Sequence, residues 1–521
     1  MWNHLSYISL ALPLFIAFPV WYWSKKRSKN TLSYPPGPKA YPLIGNLLDF
    51  PLSVPFWEGL ASLSKQYETD VLRLKLPGME MVVLNTSETI SELLDQRSAI
   101  YSDKVREFRS HISDARFSER AMTFMPYGPR WRMHRKLFND FISASTAKDH
   151  DVNQAKVVSD LLINLHREPE TFREHINLLT GSLALSIAYG IRADTPHNEF
   201  ILMYEKMLKT AQEGLVPGTF LVDMFPFLRH LPSWFPGVQF HAFANKVKTD
   251  LHIAITRPVE HVAEKLKSGV DIDPSMASTC LENLDDLGQK GIDIEVIRNT
   301  LGIVYAGRLC FTNSTLSSFF LAMARSTEIM RTAQCQLDSV LGGARLPDHS
   351  DIDDLPYIVA IVKETLRWAP PAPIGTTHRL MEDDVYRGMF IPGGATVIEN
   401  IWAVCYDETA YPEPHKYNPA RFLDENGRID SSVKDPEARV FGSGRRICPG
   451  RHLALRMLYL TIARILATFD IFPADKDGRP SVPEARYNKS LLREPMPFEC
   501  VVNPRSEQAV KLIYDAVAIH Q

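Results

Sequence analysis

Apolar residues recur at helical spacing along most of this chain. The stretches with that period are 55–66, 87–96, 130–143, 146–165, 176–189 and 198–213. The pattern resumes over 252–267, 294–326, 328–341 and 357–368, while 453–469 is apolar nearly all round, as in a buried helix. Strand-like alternation is scarcer. It marks 70–75, 80–85, and 385–387 paired with 396–401, with a last weak strand near 498–502. The predicted fold class is mainly α with a smaller β region.

One apolar run stands apart. Residues 5–23, LSYISLALPLFIAFPVWYW, carry no charge and would reach roughly 28 Å as a helix. Trp21, Tyr22 and Trp23 sit where an interfacial aromatic belt would. Lys25, Lys26, Arg27 and Lys29 follow. A cleaved signal peptide carries its positive charge before the apolar run. Here it comes after, so the run reads as one N-terminal transmembrane helix with the body of the protein on the cytosolic side. Tyr34-Pro35-Pro36-Gly37-Pro38 then forms a stiff joint, because proline fixes φ and biases its predecessor toward extended backbone. The anchor is placed at 1–24, and the basic stop-transfer cluster and hinge at 25–40.

The composition narrows the chemistry. At 521 residues, 45% hydrophobic and 23% charged, the chain has ample apolar material for a large core. A net charge of −3 lacks the basic excess of a nucleic-acid binder, so no nucleic-acid partner is expected. Six cysteines spread over the chain contain no C-x-x-C pair and make no disulfide framework. No G-x-G-x-x-G opens a helix after a strand, so no nicotinamide or flavin site is visible.

The decisive segment is Phe441-Gly-Ser-Gly-Arg-Arg-Ile-Cys-Pro-Gly450. Glycines remove side chains where a flat ligand could lie against the backbone. Arg445, Arg446 and the helix that follows place positive charge around Cys448, which favours thiolate. A thiolate in such a loop suits an axial ligand to haem iron. The competing metal readings fail on spacing: Cys448 and His452 have no second ligand pair for zinc, and C-x-x-C-H is absent.

The loop meets F-x-x-G-x-R-x-C-x-G at every position, and the chain resembles the cytochrome P-450 family, specifically its membrane-anchored microsomal class. Lys363-Glu364-Thr365-Leu366-Arg367 is similar to the family's E-x-x-R element, and Asn418-Pro419-Ala420-Arg421-Phe422 to its P-x-R-F segment. Glu364 and Arg367 share a helix face at i, i+3. The resemblance implies that Arg421 joins them in structural support of the haem pocket. It also implies propionate contacts from Trp131 and Arg135 of a W-x-x-x-R helix, from His378 and from Arg446. The implied cofactor is haem b (iron protoporphyrin IX) with Cys448 as the iron ligand, and residues 41–521 form the haem-thiolate catalytic domain. The implied activity is insertion of one oxygen atom from dioxygen into a small hydrophobic substrate. Electrons would come from NADPH through a separate flavoprotein, a cytochrome P-450 reductase. The implied location is the endoplasmic reticulum membrane with the catalytic domain cytosolic. The wording of the hinge and of residues 386–402 resembles fungal members that modify secondary metabolites.

The chain leaves that pattern in the long helix. Family members usually carry A-G-x-(D/E)-T there, an acid and an alcohol that assist proton delivery. Here the run is Ala306-Gly-Arg-Leu-Cys-Phe-Thr312. Aligned forward from Ala306-Gly307, the acid and alcohol positions fall on Leu309 and Cys310, and aligned backward they fall on Cys310 and Phe311. Thr312 is adjacent in sequence to the latter, about 100° of rotation away, and is expected to serve only if the helix bulges. Alternatives are therefore oxidative coupling, desaturation or rearrangement, or a haem-binding protein with little turnover. The pocket is expected to draw on 107–121, 220–227, 303–314, 371–376 and 488–492.

Overall fold

The computed structural model describes residues 32–521, apart from residue 52, residues 106–119, most of 216–239, and residues 477–478, 491 and 520–521. The expected anchor at 5–23 lies outside the described residues. Among those, no helix is long and apolar enough to cross a membrane.

The longer helices are α1 (Phe56–Gln66), α2 (Pro129–Phe141), α3 (Asp151–Arg167), α4 (Phe172–Tyr189), α5 (Glu199–Leu215) and α6 (Phe240–Ser268). They continue as α7 (Ile294–Arg325), α8 (Thr327–Leu341), α9 (Pro356–Trp368), α10 (Arg451–Thr468) and α11 (Glu507–Ala518). The protein is mainly helical. Local chemistry sets the ends of the elements that matter. The Asp293 side chain caps α7 by accepting from the Val296 amide at 2.8 Å. Pro356 opens α9 at a position that needs no amide donor, and Ala369-Pro370-Pro371 stops it.

The main core joins α3, α4, α7 and α10, with Leu162, Leu183, Phe320 and Ile462 all buried in it. Burial on every side of α10 follows from its apolar sequence. Its buried Arg464 is accommodated by donating to the carbonyls of Pro347 at 3.0 Å and Ala155 at 2.9 Å.

The β region is a five-stranded sheet in the order β1 (Val71–Leu76), β2 (Met79–Leu84), β7 (Thr396–Glu399), β4 (His378–Arg379), β3 (Asp103–Lys104). A two-stranded sheet pairs β5 (Asp384–Tyr386) with β6 (Met389–Ile391). A third joins β8 (Phe469–Lys476) to β9 (Arg479–Ser481) and β10 (Cys500–Pro504). One expected pairing is corrected. Residues 385–387 do not pair with 396–401, because the Arg387-Gly388 turn, both residues at positive φ, folds β5 back onto β6. β7 instead runs parallel to β2 and antiparallel to β4. The helix expected at 252–267 starts twelve residues earlier, at Phe240, and carries Pro258 inside it.

Candidate active site

A cavity of about 240 Å³ lies between α7 and the segment leading into α10. Trp131, Arg135, His378, Arg446, Cys448 and Thr312 all line it, so four separate segments bring together the residues singled out from sequence.

The cysteine loop is held by its backbone. The Cys448 amide donates to the Phe441 carbonyl at 2.8 Å, and Arg135 donates to the Ile447 carbonyl at 2.7 Å. Gly444 is required there. Its φ is +58°, and a side chain would meet the Leu94 carbonyl oxygen at 2.0 Å. Cys448 is half-buried, three residues before α10 begins.

Trp131 and Arg135 sit one turn apart on α2. Arg446 lies over the Trp131 ring at 4.4 Å and donates to the carbonyls of Ser102 at 2.8 Å and Met125 at 2.8 Å. Burial pulls the Arg446 guanidinium down to about 10, with Arg135 adding to the fall while Asp103 opposes it. Burial likewise lowers Arg135, against the pull of Cys448. Two half-buried guanidiniums on one edge of the cavity favour a ligand that brings carboxylates.

His378 stands differently from its expected role as a donor. Its Nδ1 lies 2.7 Å from the Tyr101 carbonyl, which accepts only from a protonated nitrogen. Burial and Lys104 hold its pKa well below the ordinary value. The ring is therefore neutral, and Nε2 is an acceptor rather than a donor.

The long helix brings a second correction. α7 is continuous α-helix through Thr312, yet Thr312 is buried against the cavity without a bulge. The cavity wraps the helix widely: the lining positions Ile303, Val304, Gly307, Phe311, Thr312 and Thr315 cover about half its circumference. A Cβ on Gly307 would meet nothing within 4 Å, which leaves open space above the floor.

Glu364 and Arg367 lie behind the cavity, both fully buried. Arg367 donates from Nε at 2.7 Å and from Nη2 at 2.8 Å, and Arg421 Nε lies 3.2 Å from the same carboxylate. The expected triad is present.

Of the expected lining, 371–376 contributes Pro371, Ala372, Gly375 and Thr376. Residues 107–121 and 220–227 fall mostly outside the described residues. Residues 488–492 supply no described lining side chain. Their turn closes on itself, with the Asn488 amide donating to Glu494 at 2.9 Å. Two charged lining residues were missed, Lys104 on β3 and Glu399 on β7. Glu399 had a signal in sequence, an acid directly after Val397 and Ile398 in an expected strand. Lys104 had none.

The cavity therefore offers an apolar floor and roof, a cysteine sulfur and a cationic edge, the donor set that an iron porphyrin with two carboxylates calls for. A family model described as cytochrome P-450 matches residues 35–502. A cytochrome P-450 monooxygenase, ple1, of Rhodocybe pseudopiperita is 35% identical over 96% of this chain and 95% of its own length. The tryptamine 4-monooxygenase of Psilocybe cyanescens is 35% identical over 97% and 99%. The monooxygenase claR of Ampulloclitocybe clavipes is 35% identical over 92% and 88%. The match begins in the proline hinge and ends in β10, so it takes in every element that builds the cavity, and the chain belongs to the cytochrome P-450 family of haem-thiolate monooxygenases.

Proposed function

We propose that this chain inserts one atom of dioxygen into a small apolar organic molecule, with Cys448 as the thiolate that holds haem iron. The observation that carries this reading is the convergence of Cys448, Trp131, Arg135 and Arg446 on one cavity roofed by α7. Haem, when bound, supplies the activation of dioxygen. The protein's share is to bind, orient and protonate. Trp131, Arg135 and Arg446 hold the carboxylate-bearing edge. Ile303, Val304 and Phe311 give substrate an apolar surface and exclude water. The hydroxyl of Thr312, buried against the cavity, is assigned to pass a proton into it. Glu364, Arg367 and Arg421 fix α9 against the segment before the cysteine loop.

Electrons are assigned to NADPH through a separate flavoprotein reductase, docking near Arg445 and Arg451. Anchoring in the endoplasmic reticulum membrane by residues 5–23, with the body cytosolic, is supported by apolar residues exposed just after them: Leu32, Tyr34, Tyr41, Leu43, Leu48 and Val54. A substrate from fungal secondary metabolism is supported by the relatives named above. Turnover with reductase, NADPH, labelled dioxygen and a metabolite panel tests the reading. One labelled oxygen in product is expected. Product without label would replace it with coupling, desaturation or rearrangement, and absence of turnover and of any spectral shift would leave a haem-binding protein.

A further inference from the structure

Glu399 is a carboxylate with no place in the roles above, yet it lines the cavity and is only 2% exposed. Sheet register puts it there. Lys104 on β3 stands opposite His378 on β4, and His378 opposite Val397 on β7. Glu399 is two residues beyond Val397, so it shares that face of the sheet with His378 and Lys104. Space has been cleared for it. A side chain on Gly375 would place its Cβ 2.2 Å from Glu399 Cγ.

The hydrogen bonds around the carboxyl are unequal. Ser443 donates to Oε2 at 2.8 Å. Oε1 faces His378 Nε2 at 3.8 Å, too long for a direct hydrogen bond. Since the Tyr101 carbonyl keeps the imidazole proton on Nδ1, Nε2 has none to give. An ionised Glu399 would then leave two acceptors, Oε1 and Nε2, facing each other 3.8 Å apart, against the rule that buried polar groups find partners. One proton on either of them resolves this, and the gap leaves that proton available to a third group in the cavity.

We propose that Glu399 is a positioning residue for haem: one proton held between Glu399 and His378 makes this edge of the cavity a hydrogen-bond donor toward the haem carboxylates. The inference rests on the cavity being the haem site. Burial raises the Glu399 carboxyl, with Ser443, Lys104 and Arg439 pulling the other way and Asp95 adding to the rise. Lys104 and Arg446 keep His378 low. A carboxyl raised in the folded protein holds its proton below that raised value and releases it as pH climbs through it. Haem retention therefore weakens as pH rises.

The test is haem transfer from the holoprotein to excess apomyoglobin, followed from about pH 6 to about pH 9. Wild-type protein is expected to lose haem faster as pH rises. Glu399→Gln, whose amide donates at every pH, should stay slow throughout. Glu399→Ala should lose haem about tenfold faster at neutral pH, the loss of one hydrogen bond to a charged group. A Glu399→Gln profile parallel to wild type overturns the inference, as does an alanine variant within twofold of wild type. Should the alanine variant hold too little haem to assay, the glutamine profile decides alone. Wild-type protein that binds no haem at all would instead refute the haem site itself, which a pyridine haemochromogen assay reads separately.

Discussion

Truncating Glu364 to alanine is expected to remove the support behind the haem pocket while leaving every cavity-lining group in place. Glu364 and Arg367 are both 0% exposed. The carboxylate accepts from Arg367 at 2.7 and 2.8 Å, from the Asn418 amide at 2.8 Å and from Arg421 at 3.3 Å. Without it, Arg367 keeps the carbonyls of Cys405 and Pro414, each at 2.9 Å, and the faces of Tyr406 and Tyr411, but loses the carboxylate that pairs its charge. Removing one partner of a buried ion pair costs about 3–5 kcal/mol. A folded domain has about 5–15 kcal/mol in total, so the loss is a large share. In a large domain each kcal/mol moves the thermal midpoint by about 2 °C, giving a fall of roughly 6–10 °C. Arg367→Lys should follow closely, since an ammonium cannot make the two-pronged contact. The assay is the thermal midpoint of the holoprotein by haem absorbance and by circular dichroism, over a double-variant cycle with Glu364→Leu and Arg367→Leu. The double variant should cost less than the two singles summed, by about 1–3 kcal/mol. Additive effects, or singles within about 1 kcal/mol of wild type, would refute the reasoning.

Three further outcomes follow from the same geometry. Cys448→Ala should abolish the thiolate-specific absorption of the ferrous carbon monoxide complex; a variant that kept it would show that the ligand is another residue. Thr312→Ala should lower product formed per NADPH about tenfold or more and raise peroxide release, on the scale of a lost proton-transfer group. Unchanged yield and peroxide would remove Thr312 from the proton route. Deleting residues 1–29 should release a protein with full haem content from the membrane fraction, because the described core begins after the hinge; loss of haem incorporation would show instead that the segment packs as core.

What was legible in the sequence was what short spacing determines. Glu364 and Arg367 at i, i+3, Trp131 and Arg135 at i, i+4, and the cysteine loop each sit on one local element, so their geometry follows from helix period or loop composition. The long apolar periods also located α7 and α10 within two residues at each end. Strand pairing was less legible, because a partner is chosen by contacts far along the chain: the Gly388 turn diverted β5 to β6 and left β7 to β2 and β4. Lys104 reaches the cavity only through that longer-range register. The expectation that Thr312 needs a bulge to reach the cavity failed for another reason. A rotation of 100° takes a side chain off a narrow stripe, but the cavity covers half of α7, and a stripe's width is set by what packs opposite it.

Glu364 and Glu399 show how little residue type decides on its own. Each is an acid on a regular element, one on a helix and one on a strand, and each ends fully or almost fully buried. Glu364 meets two guanidiniums, whose fixed positive charge makes an ion pair that holds structure. Glu399 meets a hydroxyl and an imidazole nitrogen that already has its proton elsewhere. Neither brings charge, so burial governs, and the carboxyl moves toward its neutral form. The difference arises one shell away, in the Tyr101 carbonyl that fixes the His378 tautomer. A tyrosine at 101 changed to phenylalanine would leave that carbonyl in place and so leave the proton where it is, whereas a change in the backbone between 98 and 104 would move it. The charge state at this edge of the cavity is thus set by a main-chain oxygen.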